Sequence, residues 1–228
     1  NFSVNPMNDG STSYFHQSIG GYHAAKMMRY QELFEYQIAK NNMQVLNMLN
    51  TKYFIVDNDK GEKQAQQNPD ANGNAWFVEN VKVVNSANSE LQILDSLNTK
   101  VSAVIDKSKL LDNVNFNFEK DSTATIKLIN YDVTELTYRT KTEKEQFVVF
   151  SEIYYKDGWN AYIDGKLTNH FRVNYVLRGM KIPAGEHEIE YKFEPKVIQQ
   201  GGMISLFSYI SIILVFVVWF FYGKKRGV

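Results

Sequence analysis

The first half of the chain mixes helical and strand patterns. Met27, Tyr30, Phe34 and Ile38 recur every three or four residues, which is the spacing of an amphipathic helix. A second, short helix is predicted around Leu46. Further along, apolar runs indicate three strands and one more helix, namely the strands KYFIVD, WFVENVKVV and KVSAVID and the helix NSELQILDSLN.

Two local features refine this half. The polar, glycine-containing segment NDKGEKQAQQNPDANGN, between the first two strands, is predicted to be a long surface loop. In the last helix, Asn88 or Ser89 is the predicted N-cap, because short polar side chains accept hydrogen bonds from the first free amides of a helix.

The second half has the pattern of an all-β unit. In HEIEYKFEP, apolar residues alternate strictly with Glu and Lys, as in a strand with one buried and one solvated face. IDGK places Asp164 and Gly165 in a two-residue hairpin, and IPAGEH predicts a second reversal. About seven short strands result, at the spacing of a sandwich or jelly roll: ATIKLIN, TELTYRT, QFVVFSEIYY, WNAYI, NHFRVN, YVLRGMKI and HEIEYKFEP.

An apolar segment lies near the end of the chain. Met203 to Tyr222 contains no charged residue, and a helix of this length crosses ~30 Å of hydrocarbon. The basic sequence GKKR follows it. By the positive-inside rule, residues 1–200 are predicted to be extracytoplasmic and the C-terminal tail cytoplasmic.

These patterns together predict the fold class and the domains. An α+β N-terminal part is followed by an all-β sandwich of jelly-roll or Ig-like type and by one C-terminal transmembrane helix. The predicted limits are 1–112 for the α+β domain, 113–196 for the β-sandwich, 203–222 for the transmembrane helix and 223–228 for the basic tail.

Composition excludes several functional classes. Lys plus Arg and Asp plus Glu both total 25 in 228 residues, so no net charge would attract nucleic acid. The absence of cysteine excludes disulfides and thiolate chemistry. The four histidines lack metal-site spacing, and no nucleophile elbow or phosphate-binding glycine motif is present. Because the sequence starts at Asn1 without a signal peptide, we expect a piece of a longer protein or a processed product.

One candidate binding site lies in SYFHQSIGGYH. Tyr14, His16, Tyr22 and His23 surround a pair of glycines, and aromatic faces and imidazoles suit sugar rings and phosphates. The alternative is a glycine turn with its aromatic residues packed beneath it. We expect this loop, rather than the sandwich, to make the functional contact.

Arg29 extends this candidate site. On the helix that follows the loop, its guanidinium could bind a phosphate through two hydrogen bonds. A surface salt bridge with Glu32 or Glu35 is the alternative.

The sandwich offers a second candidate. Tyr162, Arg172 and Arg178, with Trp159 and Asn174, fall on neighbouring predicted strands and would suit a glycan. Trp159 shares the apolar face of its strand and is predicted to anchor the core. Tyr162, on the opposite face, is predicted to expose its ring.

An ordered set of segments resembles a known family. SYFHQSIGGYHAAKMMRYQEL, VLNMLNTKYFIV, YYKDGWNAYIDGK and RVNYVLRGMKIPAGEHEIEYKFEP, followed by the apolar span and basic residues, resemble the C-terminal portion of bacterial YfhO-family membrane proteins. Each motif is weak alone, but their order is specific.

The resemblance implies a function for a larger protein. It is a multi-spanning protein of the cytoplasmic membrane, similar to GT-C glycosyltransferases, that moves a sugar from a polyprenyl-phosphate donor to a cell-envelope acceptor. Its catalytic residues would lie outside this chain, which would need no cofactor. The implied partners are the lipid bilayer, the N-terminal transmembrane domain of the same protein, and a glycan or lipid-linked sugar. A membrane-anchored, non-catalytic module that binds glycan or protein is the alternative.

Overall fold

The computed structural model describes residues 7, 9–22, 24–109, 116 and 118–225. His23, the predicted domain boundary at residue 112, and Arg226 of the basic tail lie outside the described residues.

The described residues form helices mainly at the two ends and strands between them. The helices are α1 (Ser11–Phe15), α2 (Met28–Tyr36), α3 (Met43–Met48), α4 (Ala87–Ile93) and α5 (Lys196–Lys225). The strands are β1 (Tyr53–Asp57), β2 (Lys63–Gln67), β3 (Ala75–Val78), β4 (Asn80–Val84), β5 (Ser102–Asp106), β6 (Thr125–Tyr131), β7 (Glu135–Thr142), β8 (Gln146–Ile153), β9 (Trp159–Ile163), β10 (Lys166–Thr168), β11 (Phe171–Val173), β12 (Leu177–Ile182) and β13 (Gly185–Phe193).

Two antiparallel sheets form the predicted sandwich. One has five strands in the order β10-β9-β13-β7-β6, and the other has four in the order β11-β12-β8-β3. Apolar side chains from both sheets fill the space between them. This inter-sheet core contains Leu136, Tyr138, Ala161, Ile189 and Tyr191 from the five-stranded sheet and Val148, Phe150, Met180 and Ile182 from the four-stranded sheet.

The opposite face of the four-stranded sheet is buried as well. The parallel pair β4-β5 and helices α2, α3 and α4 cover it. The four-stranded sheet is therefore the middle of three layers. This second core includes Trp76, Val78, Phe147, Val149 and Leu177 from the sheet and Leu33, Val45, Leu46, Met48, Leu94 and Ile105 from the α/β layer.

The two predicted domains share the central sheet. Strand β3, from the N-terminal half, pairs with β8 along four residues. Asn174, buried between β11 and β12, accepts a hydrogen bond from the Val104 amide at 2.9 Å through its side chain. Its own amide donates to the Val104 carbonyl at 2.8 Å. These bonds join β5 to the sandwich.

The local strand predictions are confirmed. Ile189 and Tyr191 are buried and Glu188 is exposed, as the alternation requires. Asp164 and Gly165 have φ of 50° and 75°, which is the left-handed geometry of a type I′ hairpin turn between β9 and β10. The reversal predicted in IPAGEH carries the chain from β12 in one sheet to β13 in the other.

Several predictions for the N-terminal half were wrong in detail. The predicted surface loop contains β2, an exposed strand that pairs with β1, because backbone hydrogen bonds form a hairpin without apolar side chains. WFVENVKVV forms two strands in different sheets. The cap of α4 is Ser86, which accepts from the Ser89 amide, rather than Asn88 or Ser89. The helix predicted to run through Ile38 ends at Tyr36, and Met27 is exposed.

The C-terminal helix is longer than the predicted span. Helix α5 starts at Lys196, three residues after β13 ends. Within its segment Lys196–Tyr222, an 18-residue window has a mean hydropathy of 2.5, and none of that window is buried against the rest of the described chain. Among the described helices, this one has the length and composition to cross a membrane.

Substitution of Gly179 tests the packing of the central sheet. A methyl group at Gly179 of β12 would lie 2.6 Å from Cε1 of Phe147, whose ring is fully buried. Because that ring has no free space to move into, we expect Gly179→Ala to lower the free energy of unfolding by about 1–3 kcal/mol. Urea unfolding of the chain in detergent measures this loss. Gly10→Ala is the control, because a methyl group added at Gly10 has no atom within 4 Å and the backbone φ is −91°. Equal stability of the two variants would contradict the tight packing at Gly179.

Candidate functional site

A cluster of polar and aromatic side chains closes one end of the inter-sheet core. At this end β8 stops at Ile153, β9 starts at Trp159 and β13 runs into α5. We call it the end cluster, and its members are Glu152, Tyr154, Trp159, His170, Arg172 and Arg178.

An irregularity in the central sheet creates room for this cluster. Leu177 of β12 faces Ile153 of β8, but the next residue, Arg178, faces Phe150. Ser151 and Glu152 therefore bulge out of the hydrogen-bonded ladder. Bulges of this kind redirect side chains and occur often beside functional sites.

Arg178 is the most buried member of the end cluster. Arg178 is only 2% exposed, and its Nε donates a hydrogen bond to the Ile153 carbonyl at 3.1 Å. The guanidinium carbon lies 4.3 Å from the ring centre of Trp159 and 5.0 Å from that of Tyr191. Its Nη1 has no hydrogen-bond partner among the described residues. A buried donor without a partner costs about 1–3 kcal/mol, so an acceptor that reached this group would be favourable.

Arg172 faces Arg178 directly. The two are paired across β11 and β12 in the antiparallel register. Arg172 lies 5.9 Å from the ring centre of Tyr154, and its Nε is buried without a partner in the described chain. Burial lowers the pKa of both guanidinium groups, because it disfavours their charge. The nearby charges of Glu90 and Asp106 oppose this effect for Arg172, and that of Glu152 opposes it for Arg178.

Glu152 acts on the Arg178 charge without a direct ion pair. The ion pairs of the described residues include none between Glu152 and either arginine. Burial raises the pKa of the Glu152 carboxyl, and the nearby Arg178 charge opposes this rise. The carboxyl therefore binds a proton more readily than an exposed one.

His170 is held neutral beside the arginines. Burial, and then the Arg178 charge, lower its pKa from 6.5 to about 4. Its ring lies 5.2 Å from that of Tyr154 and 5.4 Å from that of Tyr191, and its Nε2 is buried without a partner in the described chain. The end cluster thus contains two cations, a neutral imidazole and several aromatic rings.

The end cluster lies within the region that matches a known family. Residues 105–205 match the family model of the bacterial membrane protein YfhO. The chain fits a fragment of a YfhO-family membrane protein. The family and the apolar helix α5 together indicate a membrane location. Comparison with curated proteins and with solved structures gave no match.

The other predicted site residue of the sandwich lies on a different surface of the chain. Tyr162 is half-buried on the outer face of the five-stranded sheet, and its hydroxyl donates to Glu194 Oε2 at 2.7 Å. The Asn160 side-chain amide donates to the same oxygen at 2.8 Å. These bonds lower the pKa of Glu194. Trp159, by contrast, packs against the inter-sheet core as predicted.

Arg29 has protein partners in the α/β layer. Its Nη1 lies 2.9 Å from Glu90 Oε2 and 3.2 Å from the Tyr175 carbonyl. Its guanidinium carbon also lies 4.4 Å from the ring centre of Tyr175. The predicted alternative, a surface pair with Glu32 or Glu35, was wrong, because the buried Glu90 carboxylate needs a cation to offset its burial.

The N-terminal loop is more exposed to solvent than the end cluster. Tyr14, His16 and Tyr22 are exposed, so the alternative of aromatic side chains packed beneath a glycine turn does not describe these three. Gly21 has a φ of 139°, which favours glycine at this turn. The contact partner of the loop stays a prediction. The described residues contain no group of three His, Asp or Glu side chains that could hold a metal ion.

Sequence reasoning missed Glu152, Tyr154 and His170 as members of a site. The available signal was the pair Ser151-Glu152, which interrupts the apolar run in QFVVFSEIYY. Polar residues in the middle of an otherwise buried strand indicate a bulge or a functional group.

The buried imidazole gives the chain a specific pH dependence. Unfolded His170 binds a proton below pH 6.5, whereas folded His170 does so only below about pH 4. The unfolded state therefore binds more protons in this window, and stability falls as the pH drops from 6.5 to 4 by roughly 1–3 kcal/mol. We expect this loss to shrink in His170→Gln, measured by urea unfolding at several pH values. Subtracting the free energies of unfolding of the two proteins at each pH cancels the contribution of Glu152 and of the other groups that they share. If the free energies of unfolding of both proteins depended on pH in the same way, a buried, neutral His170 would be contradicted.

Proposed function

We propose that the chain is the extracytoplasmic part of a membrane protein similar to GT-C glycosyltransferases. In this proposal the whole protein moves a sugar from a polyprenyl-phosphate donor to a cell-envelope acceptor, and its catalytic residues lie outside this chain. The end cluster binds the phosphate of the lipid-linked substrate and the sugar next to it. The chain would thus hold the substrate while the transmembrane domain performs the transfer.

The observation that carries this proposal is a pair of buried arginines with unused hydrogen-bond donors. Arg172 and Arg178 face each other, each with a buried donor that has no protein partner in the described chain. A phosphate supplies negative charge and several acceptor oxygens, and arginine binds phosphate through two parallel hydrogen bonds. A neutral ligand would supply acceptor atoms but no negative charge.

The aromatic members of the cluster suit the sugar. Trp159 and Tyr154 already present ring faces to the guanidinium groups. Sugars offer apolar C–H faces that pack on such rings, while their hydroxyls need donors and acceptors like those of Glu152 and His170. A ligand would enter past the connection between β8 and β9, where Tyr155, Lys156 and Asp157 are exposed.

The location of the cluster supports a lipid-linked ligand. It lies at the end of the sandwich where β13 continues into α5, the helix with transmembrane character. A polyprenyl chain anchored in the bilayer keeps its phosphate near the membrane surface. The exposed loop around Tyr14, His16 and Tyr22 would contact the transmembrane domain or the acceptor.

The non-catalytic alternative uses the same cluster differently. A membrane-anchored binding module would hold a glycan or protein there without any transfer reaction. It would require Arg178 for binding, but loss of Arg178 would leave glycosylation in the cell unchanged.

Cysteine labelling tests the proposed orientation. The chain has no cysteine, so a single introduced thiol reports on its own position. We expect Lys60→Cys to react with a membrane-impermeant reagent in intact spheroplasts and Gly227→Cys to react only after permeabilisation, because basic residues stay on the cytoplasmic side. The reverse pattern would place the sandwich in the cytoplasm and contradict the proposal.

Substitution of Arg178 tests the proposed substrate contact in the whole protein. Losing a charged hydrogen bond to phosphate costs about 1.5–3 kcal/mol, so Arg178→Met should reduce glycosylation roughly 10- to 100-fold. Methionine keeps the apolar packing of the arginine stem but loses the hydrogen bond to the Ile153 carbonyl, so urea unfolding must show that the variant is folded. Glycosylation of the acceptor and urea unfolding are measured on the same variant.

Arg139→Met is the matched control. Arg139 is exposed on the outer face of the five-stranded sheet, 3.8 Å from Glu188. We expect this variant to keep normal glycosylation. Normal glycosylation in a folded Arg178→Met protein would refute the proposed role of the arginine pair.

A further inference from the structure

Exposed apolar side chains surround the point where the sandwich meets α5. Val133, in the turn between β6 and β7, is 85% exposed, and Tyr131 beside it is exposed as well. Tyr155, in the connection between β8 and β9, is the third exposed apolar side chain. Large apolar groups on loop tips cost free energy in water, so three at one end of a sandwich indicate a contact surface. We call these three residues the rim.

Hydrogen bonds fix the two loops of the rim to the root of α5. The Phe193 amide donates to the Thr134 carbonyl at 2.8 Å, and the Glu194 amide donates to the Gly158 carbonyl at 2.6 Å. Both donors lie in the last residues before the helix. The loops that carry Val133 and Tyr155 therefore flank the chain where it enters α5.

The distance to the hydrocarbon layer is short. The uncharged span begins at Met203, seven positions after the start of α5 at Lys196. At 1.5 Å per residue this is about 10 Å along the helix. The polar layer of a bilayer is roughly 5–8 Å thick on each side, and helices tilt by about 20° on average. The rim thus comes within reach of the headgroups.

We propose that the rim rests in the interfacial layer of the bilayer that α5 crosses. Tyrosine is enriched at this depth because its ring is apolar and its hydroxyl is polar. The contact holds the sandwich against the membrane surface, since α5 alone would leave it free to tilt. Lipid is the occupant because the rim loops are bonded beside the start of α5, the helix with the length and composition to cross a membrane.

The charges around the rim predict which lipids it accepts. Asp132 and Asp157 are acidic, Lys156 and Lys196 are basic, and all four are exposed. Their charges cancel, so no attraction to anionic headgroups is expected. The contact should form equally on zwitterionic and anionic bilayers.

Single-cysteine variants of the chain in phosphatidylcholine nanodiscs test the proposal. Val133→Cys and Tyr155→Cys carry an environment-sensitive fluorophore, and nitroxide-labelled lipids serve as quenchers. The expected result is a blue-shifted emission at both positions and loss of most of the fluorescence to shallow nitroxide lipids. Adding anionic lipid should leave both signals unchanged.

Leu167→Cys is the matched control. Leu167 is 63% exposed on β10, beyond the hairpin turn at the other end of β9. A label there should emit as in water and stay unquenched. Equal signals at all three positions would overturn the proposal. Blue-shifted labels at 133 and 155 that lipid nitroxides do not quench would also overturn it, because protein would then cover the rim.

Discussion

The central four-stranded sheet must be buried on both faces, and the rest of the structure depends on this. Strand β8 supplies Val148 and Phe150 to the core between the sheets and Phe147 and Val149 to the core beneath the α/β layer. Neither the five-stranded sheet nor the α/β layer alone buries both faces, so both halves of the chain must assemble around this strand. Where the apolar run ends at Ser151 and Glu152, the ladder is interrupted and the end cluster begins. The same constraint that stabilises the fold therefore positions the proposed site.

Patterns that involve only neighbouring residues could be predicted from the sequence. Strict alternation identified β13 and its buried face, because side chains in a strand point to opposite sides in turn. The Asp164-Gly165 turn followed from the need for positive φ at both central positions. The apolar helix followed from length and composition alone. In each case the local chemistry determines the structure.

Features that join distant segments could not be predicted in this way. Strand β3 enters the central sheet by pairing with β8 about seventy residues later, and the polar strand β2 has no apolar signal. Glu90, as the partner of Arg29, depends on how α2 and α4 pack. The opposition of Arg172 and Arg178 follows from the turn between β11 and β12, where Asn174 and Tyr175 have φ of 49° and 73°. This last feature is local, and recognising a hairpin in RVNYVLR would have predicted that the two arginines are cross-strand neighbours.

Phosphate binding by the arginine pair can be measured directly. Side-chain ¹⁵N NMR of arginine-labelled chain in nanodiscs, titrated with a polyprenyl phosphate, reports on each guanidinium group. Binding at the end cluster predicts that the Arg172 and Arg178 signals shift with a shared dissociation constant while Arg139 does not, and that uncharged polyprenol has no effect. Unchanged Arg172 and Arg178 signals at saturating polyprenyl phosphate would contradict it.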